Sequence, residues 1–323
     1  MIRLKEFSNV EVCLHSLDSL GVTCFFGCED QEFLLTKDSN IRYVRMQHEQ
    51  AAVHAADGFA RATGKPGVIL LTTASGITNS ITGIATAYSD SVPLVIITGQ
   101  IQNNLLHSNQ EAFHELNTSG LTMAITKHTL KISTIEGIRD ALKNALTIAT
   151  NGRPGPVLLE LTSHPDMHAP QNQSLVRSQT KRQSHEHSVK MAKCLIESAK
   201  KPVIFIGGGV IASGASDFLR EVVQHTRIPV VSSFLGIGSM EAKNPLYLGM
   251  LGMHGTFAAN KAVHHCDLLI SIGVRFSDRV TGRISGFSPA SKKIHVDIDP
   301  AEINKIIHVD LPIVGMQKSF YFH

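Results

Sequence analysis

A chain of 323 residues with 43 % hydrophobic and 18 % charged side chains has an ordinary globular balance, and at about 150 residues per domain its length suggests two domains. A formal charge of +3, carried by scattered rather than clustered cations, gives no footprint for nucleic acid. No uninterrupted apolar run approaches about 18 residues, so no membrane span is expected.

The first seven residues, Met1 to Phe7, lack the apolar centre of a signal peptide, and Glu6 argues against a transit peptide. Cys13, Cys24, Cys28, Cys194 and Cys266 are odd in number and form no recurring zinc spacing. Reduced thiols in a cytoplasmic protein are the expectation. A helix is predicted from about 48 to 63, ending near Gly64 and Pro66. Short continuous apolar runs recur at Val68–Leu71, Leu94–Ile97, Val157–Leu159, Val203–Ile206 and Leu268–Ile272. Runs without polar alternation predict strands covered on both faces, as in parallel sheets. Between two of them, Ser133 and Glu136 form a capping-box pattern ahead of Ile135, Ile138, Leu142 and Leu146, which share a helical face. Residues 163–188 turn polar and lose their apolar period, which predicts a linker. The expected fold class is α/β: two doubly wound parallel-sheet domains, 1–162 and 189–323.

The motifs point to a chemistry. Arg45-Met46-Gln47-His48-Glu49-Gln50-Ala51-Ala52 leads into Ala55-Ala56-Asp57-Gly58-Phe59-Ala60-Arg61-Ala62-Thr63-Gly64. Thr78-Asn79, Gly83 to Tyr88, Asp90 to Pro93, Ile97 to Gln100 and Gly152-Arg153-Pro154-Gly155-Pro156-Val157 follow in order. Up to the linker the chain resembles the pyrimidine-binding domain of thiamine-diphosphate enzymes. The resemblance implies that Glu49 hydrogen-bonds N1′ of the cofactor's aminopyrimidine and controls its proton, while the cofactor carries the carbanion chemistry. Taken alone, Glu49 reads as a glutamate favoured in a first helical turn by the helix dipole; its flanks favour the catalytic role. The same resemblance implies an active-site loop at Phe113-His114-Glu115, a further site residue at Lys127 of the Lys127-His128 pair, and cofactor contacts at Gly76, Asn79 and Arg153. Two glycine turns depart from the family's pattern: Gly27-Cys28-Glu29-Asp30-Gln31, and Thr73-Ala74-Ser75-Gly76-Ile77-Thr78-Asn79, which retains one of two glycines.

Beyond the linker, Gly207-Gly208-Gly209 follows a strand, where a glycine turn brings backbone N–H groups toward a phosphate. It fails the strict dinucleotide spacing. Leu248 to Gly255, Val274-Arg275-Phe276-Ser277-Asp278-Arg279-Val280-Thr281-Gly282 and Asp297-Ile298-Asp299-Pro300-Ala301-Glu302-Ile303 resemble the central domain of acetolactate synthases, with Ser277 where the family has aspartate. The resemblance implies a structural FAD held by Gly207, Gly208, Gly209, Gly252, Met253, His254, Gly273, Arg275, Asp278, Asp297 and Ile298, with Arg279 facing the substrate side and Arg275 suited to a diphosphate. A flavin-free packed spacer is the alternative.

The family's Mg²⁺ ligands sit in a Gly-Asp-Gly segment and a later Asn of a third domain; no Gly-Asp-Gly occurs here. The expectation is an acetolactate synthase-like carboligase, joining pyruvate to a second 2-ketoacid in branched-chain amino-acid synthesis. It would be inactive alone or dependent on a homo-oligomer or a subunit bearing that domain, with a small regulatory subunit implied. A non-catalytic relic that binds FAD or a partner remains open, as does another thiamine enzyme.

Overall fold

The computed structural model describes residues 9–28, 41–71, 74–99, 117–132, 134–161 and 185–315. Glu29, Asp30, Gln31, Gln100, Phe113, His114, Glu115 and Ser133 lie outside them. The chain divides into two compact units, Met1–Leu175 and Val176–His323.

The first unit runs α1 (Asn9–Ser19), β1 (Cys24–Gly27), β2 (Arg42–Arg45), α2 (Glu49–Thr63), β3 (Gly67–Leu71), α3 (Ala74–Asp90), β4 (Leu94–Gly99), α4 (Thr118–Thr122), β5 (His128–Ile132), α5 (Ile138–Thr150) and β6 (Val157–Leu161). Among the described residues its sheet has six strands, all parallel, in the order β2-β1-β3-β4-β6-β5. The apolar runs supply the alternation that a two-faced sheet needs. Val68, Leu70, Val95 and Ile97 meet α1 and α5 on one side, and Ile69, Leu71 and Ile96 meet α2 and α3 on the other.

Helix α2 spans the range expected, with His48 as N-cap and Gly64 as a left-handed C-cap at φ 70°. Helix α5 does not open on a capping box. A 3-10 turn occupies Ile135–Gly137, and the helix starts at Ile138 behind Gly137, which makes no side-chain cap. Its inward face is Ile138, Ala141, Leu142, Ala145 and Ala149.

The second unit runs α6 (His185–Ser198), β7 (Pro202–Ile206), α7 (Gly208–Ala212), α8 (Ser216–Thr226), β8 (Val230–Ser232), β9 (Tyr247–Met250), α9 (Phe257–His265), β10 (Leu268–Ile272), α10 (Asp278–Thr281), β11 (Lys292–Asp297) and β12 (Leu311–Val314). Residues 185–188, expected in the linker, are the first turn of α6. The sheet order is β12-β11-β10-β7-β8-β9, again all parallel. Read from its other edge, it places the strands in the doubly wound dinucleotide order, with the topological switch between β7 and β10. Among the described residues, no helix is long and apolar enough to cross a membrane.

Candidate functional site

In open parallel sheets, ligands bind beyond the carboxyl ends of the strands at a switch point. In the first unit that point lies between β1 and β3, because the chain passes from β1 to β2 on one side and returns through α2 to β3 on the other. The exits of β1 and β2 are tied together there: Met46 N–H donates to Gly27 O at 2.8 Å. Gly27 has no room for a side chain, since a Cβ would lie 2.8 Å from Leu70 O and 3.2 Å from the Tyr43 hydroxyl. Its neighbour Cys28 packs against the apolar cluster of α2 and α3.

Glu49 is the first residue of α2, half-buried. Its Oε2 accepts from Asn79 Nδ2 at 2.9 Å, across 30 residues of sequence. The contact exists because α2 and α3 pack closely at Gly83, where a Cβ would meet Val53 Cβ and Cγ1 at 2.8 Å. The segment Ser75–Asn79, expected as a glycine turn, is the opening of α3, with Gly76 buried in its first turn. Asn79 therefore stands on a helix, facing the carboxylate.

Other residues of the signature are structural. Arg61 pairs with Asp57 one turn earlier and with Asp90 at 2.8 Å, joining the far ends of α2 and α3. Those carboxylates, Asp57 first, hold the Arg61 guanidinium above its ordinary range.

Two expected site residues lie elsewhere. Lys127 precedes β5 and Arg153 precedes β6, at the amino edge of the sheet, opposite Glu49 and Asn79. Lys127 Nζ donates to Ile148 O and, at 2.7 Å, to Asn151 O, the carbonyl end of α5, where a cation complements the helix dipole. Burial pulls this amine down to about 8. Arg153 Nε donates to Ser91 Oγ at 2.8 Å. Both residues thus make their described contacts at the strand origins of this sheet.

In the second unit the expected residues gather at the carboxyl edge of the sheet. The glycine run after β7 works differently from a phosphate loop: Gly207 N–H donates to Ile272 O at 3.0 Å and Gly209 N–H to Gly273 O at 3.1 Å. Two of the three N–H groups thus close the chain onto β10 at the switch point. A Cβ on Gly207 would stand 2.1 Å from Gly273 O, so only glycine permits that approach. Gly273 has a φ of 57° and donates to Val296 O at 2.8 Å. After β9, Gly252 (φ 110°) lies where a Cβ would meet Arg279 O at 2.5 Å. Asn260 of α9 holds Gly252 at both its N–H and its carbonyl, at 3.2 and 3.1 Å, and Met253 N–H donates to Arg279 O at 2.9 Å. Arg275, Asp278, Arg279 and His254 are exposed. Asp297, at the end of β11, is buried and its Oδ1 accepts from Asp299 N–H at 2.9 Å, which makes it a turn former as it stands. Beneath it the fully buried His295 bonds Val274 O through Nε2 at 3.1 Å, and burial pushes its pKa down. Ile298 follows, half-buried.

Sequence reasoning singled out Met253 (67 % exposed) but missed two exposed aromatic side chains at this edge, Phe234 (75 %) and Phe257 (78 %). Isolated exposed aromatics are common, but these stand on the loops after β8 and β9 and at the start of α9, beside the glycine turns. Among the described residues no group of His, Cys, Asp and Glu could hold a metal ion.

Residues 9–121 match the family model described as thiamine pyrophosphate enzyme, N-terminal TPP binding domain, and residues 189–321 match thiamine pyrophosphate enzyme, central domain. The chain is 44 % identical over 321 residues to the probable acetolactate synthase large subunit of Methanocaldococcus jannaschii, covering 96 % of this chain and 54 % of that protein. It is 41 % identical to the acetolactate synthase large subunit of Haemophilus influenzae, with 98 % and 57 % covered. For the acetolactate synthase isozyme 3 large subunit of Escherichia coli the identity is 40 %, with 97 % and 56 % covered. The chain thus spans about half the length of these relatives. With the two models together matching more than half of its residues, the chain belongs to the thiamine pyrophosphate enzyme family, and these relatives of it are acetolactate synthase large subunits.

Proposed function

We propose that this chain serves a thiamine-diphosphate carboligase of the acetolactate synthase type, which decarboxylates pyruvate and joins the two-carbon unit to a second 2-ketoacid. The observation that carries the reading is the Asn79–Glu49 pair at the carboxyl edge of the first sheet. When bound, thiamine diphosphate supplies the carbanion chemistry. The residues fit its pyrimidine half. Asn79 occupies Oε2 of Glu49, and Oε1 has no partner among the described residues, so it is the oxygen that would hold a proton at N1′. Gly27 keeps bulk away from the carboxyl end of β1, and Gly76 lies in the first turn of α3, the helix that carries Asn79.

FAD fits the edge of the second sheet. Phe234, Met253 and Phe257 offer apolar surface beside the switch point, and Arg275 and Arg279 offer guanidinium forks to a diphosphate. Gly208, Gly252, His254, Gly273, Asp278, Asp297 and Ile298 would line or shape that site. Mg²⁺ would be held by residues other than the described ones. A diphosphate-binding domain brought by another protomer or subunit would complete the cofactor site, and the relatives' designation as large subunits supports a small regulatory partner. Five free cysteines suit a reducing, cytoplasmic setting.

The test is acetolactate formation from pyruvate by the chain in its native assembly, with thiamine diphosphate, Mg²⁺ and FAD supplied. Glu49→Gln is expected to lower the rate on the order of 10²–10⁴-fold. No acetolactate from the assembly, or equal rates from both proteins, would overturn the reading. A colourless, folded protein that takes up no flavin would overturn the FAD assignment alone.

A further inference from the structure

We propose that His48 is a positioning residue for Glu49: its imidazole caps α2 and fixes the first turn, so that the carboxylate stays where Asn79 meets it. The inference rests on the carboligase reading of Glu49 given above. The first N–H groups of a helix have no partner within it, and a side-chain acceptor on the preceding residue supplies one. Residue 48 has the extended backbone of such a cap, with φ −153° and ψ 141°, and its Nδ1 accepts Gln50 N–H at 3.1 Å. Its carbonyl accepts Ala52 N–H at 3.1 Å. His48 is therefore bonded to the helix by ring and by backbone, and Glu49 lies between the two attachments.

The usual caps are Ser, Thr, Asp and Asn. Histidine does the same only as the neutral ring with its hydrogen on Nε2, because Nδ1 must present a lone pair. Among the described residues Glu49 has one further side-chain restraint, the Asn79 bond at 2.9 Å from α3. A carboxylate with one side-chain restraint swings when its backbone frays, and a displacement of about 1 Å is costly for a group that must meet a particular proton. The cap and Asn79 thus act on the same carboxylate from opposite sides, one through the main chain and one through the side chain.

The test uses the full chain in its native assembly with His48→Ala, His48→Asn and Glu49→Gln. In the cofactor-free protein, amide exchange at Gln50 should quicken roughly fivefold in His48→Ala, the worth of an N-cap, and return to the wild-type rate in His48→Asn. The kcat for acetolactate should fall by a similar factor in His48→Ala and recover in His48→Asn, with KM for pyruvate little changed. Wild-type exchange at Gln50 in His48→Ala, or a His48→Asn protein as impaired as His48→Ala, would overturn the proposal. A wild-type rate in Glu49→Gln would defeat the underlying reading of Glu49 instead, and the exchange data would still report the cap separately.

Discussion

Asn79 Nδ2 donates to Glu49 Oε2 at 2.9 Å, so the two helices that flank β3 are joined near their amino ends by an amide and a carboxylate. A hydrogen bond to a charged group is worth about 1.5–3 kcal/mol when shielded and less at an exposed site. Asn79→Ala should lower the rate of acetolactate formation roughly tenfold. Asn79→Asp should lower it further, because it sets a second carboxylate against Glu49. Steady-state rates of the two variants check the order; an aspartate variant faster than the alanine variant would contradict it.

Gly83 sets the spacing that makes this bond. Adding a methyl group there brings it within 2.8 Å of Val53 Cβ and Cγ1. Gly83→Ala should destabilise the fold by about 1–3 kcal/mol, the usual cost of overpacking. Urea denaturation measures the loss. Val53→Ala in the same chain should recover part of it by removing Cγ1, one of the two atoms in the way, while Cβ stays.

Lys127 carries a pH signature. Burial lowers its amine from 10.5 to about 8, so the unfolded chain holds this proton more tightly than the folded one. Stability contributed by this group is therefore smallest below about pH 8 and rises between about pH 8 and 10.5. Lys127→Met should lack that rise. It should also be destabilised at neutral pH by about 1–3 kcal/mol, since Ile148 O and Asn151 O lose their donor. Thermal melts of both proteins across this range test both statements, and acetolactate turnover at pH 7 should be nearly unaffected.

Gly207→Ala places a Cβ 2.1 Å from Gly273 O, a backbone atom that cannot rotate aside. The turns after β7 and β10 must then part at the switch point. Loss of flavin uptake together with a lowered melting temperature is expected. Retained flavin at wild-type stoichiometry would show that the glycine is dispensable there.

Much of the fold was legible because buried parallel strands leave continuous apolar runs. Val68–Leu71, Leu94–Ile97, Val157–Leu159, Val203–Ile206 and Leu268–Ile272 all lie within observed strands. The edge strands were not legible. In β5, His128-Thr129-Leu130-Lys131-Ile132, no residue is fully buried, and β2 has two exposed arginines, so neither shows an apolar signal. The inner strand β11 was hidden for another reason: Lys292, Lys293 and His295 interrupt its run, although His295 is wholly buried. At the site, motif order singled out Glu49 and Asn79 but not that one holds the other, because their meeting depends on helix packing at Gly83. For Lys127 and Arg153 the motif did not tell at which edge of the sheet they stand, because a motif records that a residue is needed and not where packing puts it.

That separation of edges has a practical side. The cations and caps that steady the first unit, Lys127 on α5 and Arg153 on Ser91, stand at the strand origins, while Glu49 and Asn79 stand beyond the strand ends. Libraries drawn from the origin side should yield variants that withstand heat better while turnover is spared, and libraries drawn from the other side should trade one property against the other. An engineer has, in effect, two independent dials on a single sheet.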